Sequence, residues 1–266
     1  MLEQENKLEI DAKYFQYIKE ESNVLKINAE GLYYKDLNAV LRQAICTSVE
    51  RIEVYNVCGQ RYLGTDLDTN IQIDVYGTPG NDLGAFMNGP KLVIHGNAQD
   101  GCGNTMNEGQ IIVHGHAGDV TGHSMRGGKI FVRDCVGYRV GIHMKEYRRK
   151  IPQIVIGQTA GDFLAEYMAG GVMVILGLNL KEGEKCKAKF VGTGMHGGVI
   201  YERGEILEPV NGTKTLEAGK RDFKTIEALV KEYCSHFGAD PKEILNAKFK
   251  KILPVSKRPY GNLFSE

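Results

Sequence analysis

IDVYGTPGNDLGAFMNGPK (73–91), LVIHGNAQDGCGNTMNEGQ (92–110) and IIVHGHAGDVTGHSMRGGK (111–129) follow one another without a gap, each 19 residues long. A fourth block, from Ile130, carries five extra residues at its end, and the period returns at Ile154. The block from Met173 holds an insertion, 179–189, and rejoins the pattern at FVGTGMHGGV; an imperfect first block starts at Ile52 and a last strand at Ile200. The columns of this alignment carry the argument. Ile52, Ile73, Leu92, Ile111, Ile130 and Ile154 form one, and Val54, Val75, Ile94, Val113, Val132 and Ile156 stand two places on. A spacing of two puts both on one face of a strand. A further column, Met87, Met106, Met125, Met144, Met168 and Met195, takes six of the eight methionines and reads as core filler. Three residues before each stand Gly84, Gly103, Gly122, Gly141, Ala165 and Gly192, a positional demand for φ > 0 or close backbone approach.

One short apolar strand per block cannot bury its own face, but stacked turns bury it against one another. Parallel strands in a doubly wound sheet need a crossover of about a dozen residues, usually helical, and no such segment lies inside a block. A propeller blade needs about 40 residues. The pattern therefore predicts an all-β core: a single-stranded parallel β-solenoid of about seven turns. Helical patterns flank it. Leu37, Val40, Leu41, Ala44 and Ile45 share one helical face, as do Phe223, Ile226, Val230, Tyr233 and Phe237, while Asp240-Pro241 reads as the start of another short helix. The expected organisation is an N-terminal helical cap segment (1–50), the solenoid (51–205) and a C-terminal helical segment (206–266), with helices capping both open ends or, alternatively, docking on a partner.

Composition narrows the classes. Lys+Arg and Asp+Glu are both 33, which argues against a general nucleic-acid binder. Of the 33 glycines, 28 lie between Ile52 and Gly204, without the G-X-Y period of collagen. No apolar run is long enough for a membrane span, and the polar start from Met1 to Asp11 is unlike a signal peptide. The six cysteines are widely spaced with no C-x-x-C, so reduced thiols in a cytoplasmic protein are expected.

The motif G-x-x-G-x-x-x-G occurs as Gly77, Gly80, Gly84 and again as Gly115, Gly118, Gly122; Gly96, Gly103 and Gly141 hold equivalent places. With these and NVCGQRYLG at 56–64, roughly residues 30–205 resemble the C-terminal GXGXG domain of the glutamate synthase large subunit. They are similar also to one of the subunits of formylmethanofuran dehydrogenase. The resemblance implies a right-handed parallel β-helix. In that family the glutaminase, FMN and iron–sulfur chemistry belongs to other domains. Here Met1-Leu2 offers no N-terminal nucleophilic cysteine, and no clustered cysteines suit an iron–sulfur centre. By analogy the chain is expected to be a non-catalytic scaffold in a glutamate synthase-type oxidoreductase. It would carry no cofactor itself; FMN and an iron–sulfur cluster would sit in partners, an amidotransferase (glutaminase) subunit and an FMN-binding synthase subunit. A homo-oligomer is compatible with it. The alternatives are the scaffold of a formylmethanofuran dehydrogenase-like complex, or a stand-alone hydrolase on a β-helix.

Several residues invite a site. His114 and His116 are two apart, and His95 precedes His114 by one block, so the three suggest a metal set. The competing reading is a solvent-facing histidine ladder with no carboxylate in its column. Gly122-His123-Ser124-Met125-Arg126 nearly spells the nucleophile elbow G-x-S-x-G, yet the fifth place is arginine and no helix follows. The glycine loops lack G-x-x-x-x-G-K-[ST]. The basic run 145–150 and the insertion 181–189 read as solvated loops, or as partner-docking insertions. No catalytic, cofactor-binding or metal-ligating residue is assigned.

Overall fold

The computed structural model describes residues 10–256. Residues 1–9, including the Met1-Leu2 start, and 257–266 of the expected C-terminal segment lie outside them. A 3-10 turn (Ala12–Tyr17) leads into β1 (Ile18–Glu21), β2 (Val24–Asn28) and α1 (Tyr34–Ala44). Then come β3 (Arg51–Cys58), β4 (Gln72–Thr78), β5 (Asn88–His95), β6 (Glu108–Val113), β7 (Lys129–Val132), β8 (Gln153–Ile156), β9 (Ala169–Ile175) and β10 (Gly197–Arg203). β11 (Thr213–Glu217), α2 (Lys220–Phe237), α3 (Pro241–Leu245) and β12 (Phe249–Pro254) complete the described chain.

β2 to β10 pair in parallel, each with the next, as a right-handed solenoid. The predicted column is the observed register: Ile52 faces Ile73, then Leu92, Ile111, Ile130, Ile154, Met173 and Ile200. These residues and the second column from Val54 to Ile175 are fully buried, as are the methionines apart from a trace at Met195. Each fully buried aliphatic side chain stabilises the stack by about 1.5–3 kcal/mol. The ladder also starts one rung before Ile52, because β2 places Leu25 and Ile27 under Ile52 and Val54. That rung lies inside the expected cap segment. Its block has no glycine corner, since α1 occupies the corner's place.

The corners explain the glycines. In each turn three residues alternate through the left-handed region, as Asp82, Gly84 and Phe86 do, or Val120, Gly122 and Ser124. The amide of the central residue donates to the turn before (Gly122 N to Cys102 O, 2.7 Å), while its neighbours donate to the turn after (Val120 N to Tyr138 O, 2.8 Å). At Gly122 φ is +70°, and a Cβ would stand 2.4 Å from Ile154 Cδ1. Ala165, the lone non-glycine in this column, also holds φ +59°. Gly80 answers the other demand, close approach: a Cβ there would meet Gly59 O at 2.3 Å.

The expectation of helical caps at both ends holds for α1 only. Its buried face (Leu37, Val40, Leu41, Ala44) joins the inner core, and Asn38 Nδ2 and Arg42 Nη2 donate to Arg61 O and Thr65 O of the first corner. α2 instead runs along the outer flank of the sheet. Val93, Ile112, Phe131, Val155 and Val174 point outward from successive rungs and pack with Ile226, Leu229, Val230 and Tyr233. The reason is in the strands: from β5 onward their outward central residue is also apolar, so that flank needs a cover. The far end of the stack is closed by antiparallel β12 on β10 and β11 on β12.

Candidate functional site

Two clusters of side chains able to do chemistry stand out. The first lies on the outer face of β3–β6, beyond the end of α2. Asp74, its side chain 3% exposed, accepts hydrogen bonds from Arg51 Nε (2.9 Å) and Gln72 Nε2 (2.8 Å), and pairs with His95 Nε2 (2.8 Å). Burial pushes the Asp74 carboxyl up; the Gln72 and His95 hydrogen bonds and the Arg51 charge outweigh this and hold it below the ordinary carboxylate value. Beside it runs a ladder of rings, Tyr55, Tyr76, His95 and His114, stacked at 4.6, 4.4 and 5.3 Å between centroids. The ladder ends edge-on against Phe237 of α2. Burial and the neighbouring His95 lower the pKa of His114.

The three histidines weighed as a metal set divide. His95 and His114 stack ring on ring, whereas His116 is exposed past the end of β6, beyond Gly115, its amide held by Asn97 Oδ1 (2.9 Å). Among the described residues no three ligating side chains gather around one point. The carboxylate absent from the histidine column comes from the next one, as Asp74 reaches His95 across one rung. Asp74 and Arg51 escaped the sequence reading. The available signal was an acid between Ile73 and Val75, placed diagonally from His95 once the register is fixed.

The second cluster sits on the corners. Ser124 Oγ is 3.4 Å from His123 Nε2; His123 Nδ1 lies 3.1 Å from Asn104 Oδ1, and Asn104 Nδ2 donates to Asp82 Oδ1 (3.1 Å). This is the outline of a nucleophile, a base and an orienting chain. Burial, then the nearby His143, lower the pKa of His123. The remainder of acyl-transfer machinery is not built. The Ser124 and Met125 amides, the natural oxyanion donors, are both spent on Ile142 O (2.8 Å) and Gly122 O (3.2 Å). The cluster joins one turn to the next.

The cysteines are free: Cys102, Cys186 and Cys234 are buried and Cys46 and Cys58 exposed. No helix among the described residues is long and apolar enough to cross a membrane.

Parallel turns with left-handed glycine corners define a class of protein, and the comparison with protein families agrees with it. Residues 36–256 match the GXGXG motif family. The chain belongs to that family of glutamate synthase large-subunit-like GXGXG domains. It is similar to an uncharacterized protein of Methanocaldococcus jannaschii, 46% identical over 249 residues that cover 90% of this chain and 95% of the relative.

Proposed function

We propose that the solenoid is the non-catalytic scaffold subunit of a glutamate synthase-type oxidoreductase. Amidotransferase and FMN-dependent synthase subunits dock on it and bring the flavin and the iron–sulfur cluster. Family membership supports the kind of complex. The observation that carries the scaffold role is that the groups able to do chemistry are tied into the stack: Asp74 is held by three partners and Ser124–His123 lacks free oxyanion donors. What the fold offers instead is a rigid rod. Its nine parallel rungs at roughly 4.8 Å hold attached chains at fixed separation. The test is affinity recovery of the native protein, with mass spectrometry and a visible absorption spectrum. A yellow, flavin-containing synthase chain and an amidotransferase chain are expected in the eluate. Recovery of the other subunits of a formylmethanofuran dehydrogenase-like complex in their place would move the chain to that type; a lone colourless protein would overturn the scaffold role.

A further inference from the structure

The corner face over β7–β10 carries exposed aromatic side chains on successive turns. Arg139, His143, Phe163, Tyr167 and Phe190 all sit at positive φ, between +52° and +61°. In a non-glycine residue the left-handed conformation costs roughly 1–2 kcal/mol. Equivalent places in other turns are also at positive φ and also hold bulky residues, Tyr62, Phe86 and Val120 among them, so the left-handed backbone belongs to every corner; what marks this face is its run of rings on successive turns. The bulky side chains do not recover the cost by burial: Phe190 is 50% and Tyr167 39% exposed, and adjacent Tyr138 is 54% exposed. Exposed aromatic side chains grouped on successive turns suit a role in binding.

The rings are already stacked on each other. Phe163 and Phe190 lie 4.8 Å apart and nearly parallel, with Arg139 over Phe163 at 5.0 Å. His143 stacks on Tyr167 at 5.3 Å, and the far face of Tyr167 lies against Gly194, where a Cβ would come within 2.4 Å of the ring. Both faces of Phe163 are therefore covered, by Arg139 and by Phe190, which leaves less platform for a stacked nucleobase than isolated rings would.

Charge at the rim selects the partner. A hairpin closed by Tyr147 and Lys150 follows the His143 corner in the chain, with Tyr147 50% exposed. Arg126, Lys145, Arg148 and Arg149 are in no ion pair among the described residues, whereas Lys150 is used by Glu108 (2.7 Å). The local acids are committed: Glu166 to Arg139 Nε (3.0 Å), Glu146 to the Gly171 amide (3.1 Å) and Asp162 to the Lys189 amide (2.8 Å). The face thus combines aromatic anchors with a cationic rim, inside a chain whose formal net charge is zero.

We infer that this corner face with the 145–150 hairpin docks an acidic segment of a partner protein, carboxylates meeting the hairpin cations and apolar side chains meeting the exposed rings. Its assignment to a subunit of the complex rests on the scaffold reading above; the surface and its preference do not. The experiment uses the full chain as wild type, as Arg148→Glu/Arg149→Glu, and as a control, Lys214→Glu/Lys224→Glu, which changes two exposed lysines elsewhere. Circular dichroism checks that each is folded. Binding of a poly-glutamate peptide and of a deoxythymidine oligomer is measured, together with recovery of the amidotransferase and synthase chains. Expected is poly-glutamate binding weakened at least about tenfold by the arginine reversal and unchanged by the control, with loss of an identified partner chain. Equal poly-glutamate binding by both variants, or tighter binding of the oligomer, would overturn the inference. Partners recovered equally by wild type and the arginine variant would remove this face as the interface and leave the scaffold role standing. No partners with wild type would defeat the scaffold role, and the peptide measurement would still decide the surface. Should the arginine variant misfold, Arg148→Gln/Arg149→Gln, which removes the two charges without reversing them, replaces it under the same criteria.

Discussion

At a single corner residue, two demands meet: a left-handed backbone and no room for Cβ. Gly122→Ala meets both, with φ +70° and Ile154 Cδ1 at 2.4 Å. A loss of about 2–4 kcal/mol is expected in denaturant unfolding, from the left-handed penalty plus overpacking. Ala165→Gly is the counter-test. It relieves left-handed strain but surrenders a buried methyl and adds chain entropy, so stability should stay within about 1 kcal/mol of wild type. Equal losses for the two would show that the corner conformation is not what selects glycine. A second residue-scale prediction concerns His236, whose Nε2 is buried without a hydrogen-bond partner and whose ring meets Phe131 edge-on at 5.0 Å. Burial, then the charge of Lys91, lower its pKa from 6.5. The folded state therefore prefers the neutral ring. As pH falls through 6.5 the unfolded chain binds the proton first, so stability is complete above that value and declines below it until the folded pKa is reached. His114 and His123 act in the same sense. The melting temperature should fall between about pH 7.5 and pH 5.5, and His236→Phe should flatten that fall. An unchanged slope would refute the assignment to His236.

Among the elements, α2 is the least like its expectation. Its amphipathic face was legible at Phe223, Ile226, Val230, Tyr233 and Phe237, but its target was not. An apolar stripe states that a helix is covered, not by what. The missing signal lay in the strands, where Val93, Ile112, Phe131, Val155 and Val174 make the outward face apolar too. Phe131, fully buried between sheet and helix, holds this contact. Phe131→Ala should cost about 3–5 kcal/mol and speed amide hydrogen exchange in α2 well before that of the inner strands. Uniform exchange throughout would mean that helix and solenoid unfold as one unit. The inner columns were readable because a 19-residue period repeats one strand in one register. β2 was not, because α1 stands where its corner would be, and neither were β11 and β12, which belong to no repeat. The Asp74–His95 contact was hidden for a related reason: it runs diagonally between columns, and only a fixed register brings the two together.

For the molecule as a whole, the two sheet edges bear on assembly. β1 carries Lys19, Glu20 and Glu21, and β11 carries Lys214 and Glu217 on an exposed strand. Charged edge strands discourage end-to-end pairing of copies. Chains would then attach to the flanks of the rod. The scaffold account makes a kinetic demand that follows from this. A scaffold of the kind proposed would perform no chemical step; it would hold the amidotransferase close to the synthase, so that ammonia released from glutamine is used before it escapes. The decisive measurement combines separately purified amidotransferase and flavin-dependent synthase subunits with and without this chain, and compares product formation from glutamine with that from free ammonia. The account predicts that glutamine-dependent synthesis requires this chain while ammonia-dependent synthesis by the flavin-dependent partner does not. Equal glutamine-dependent rates in its absence, or activity of this chain alone, would contradict it.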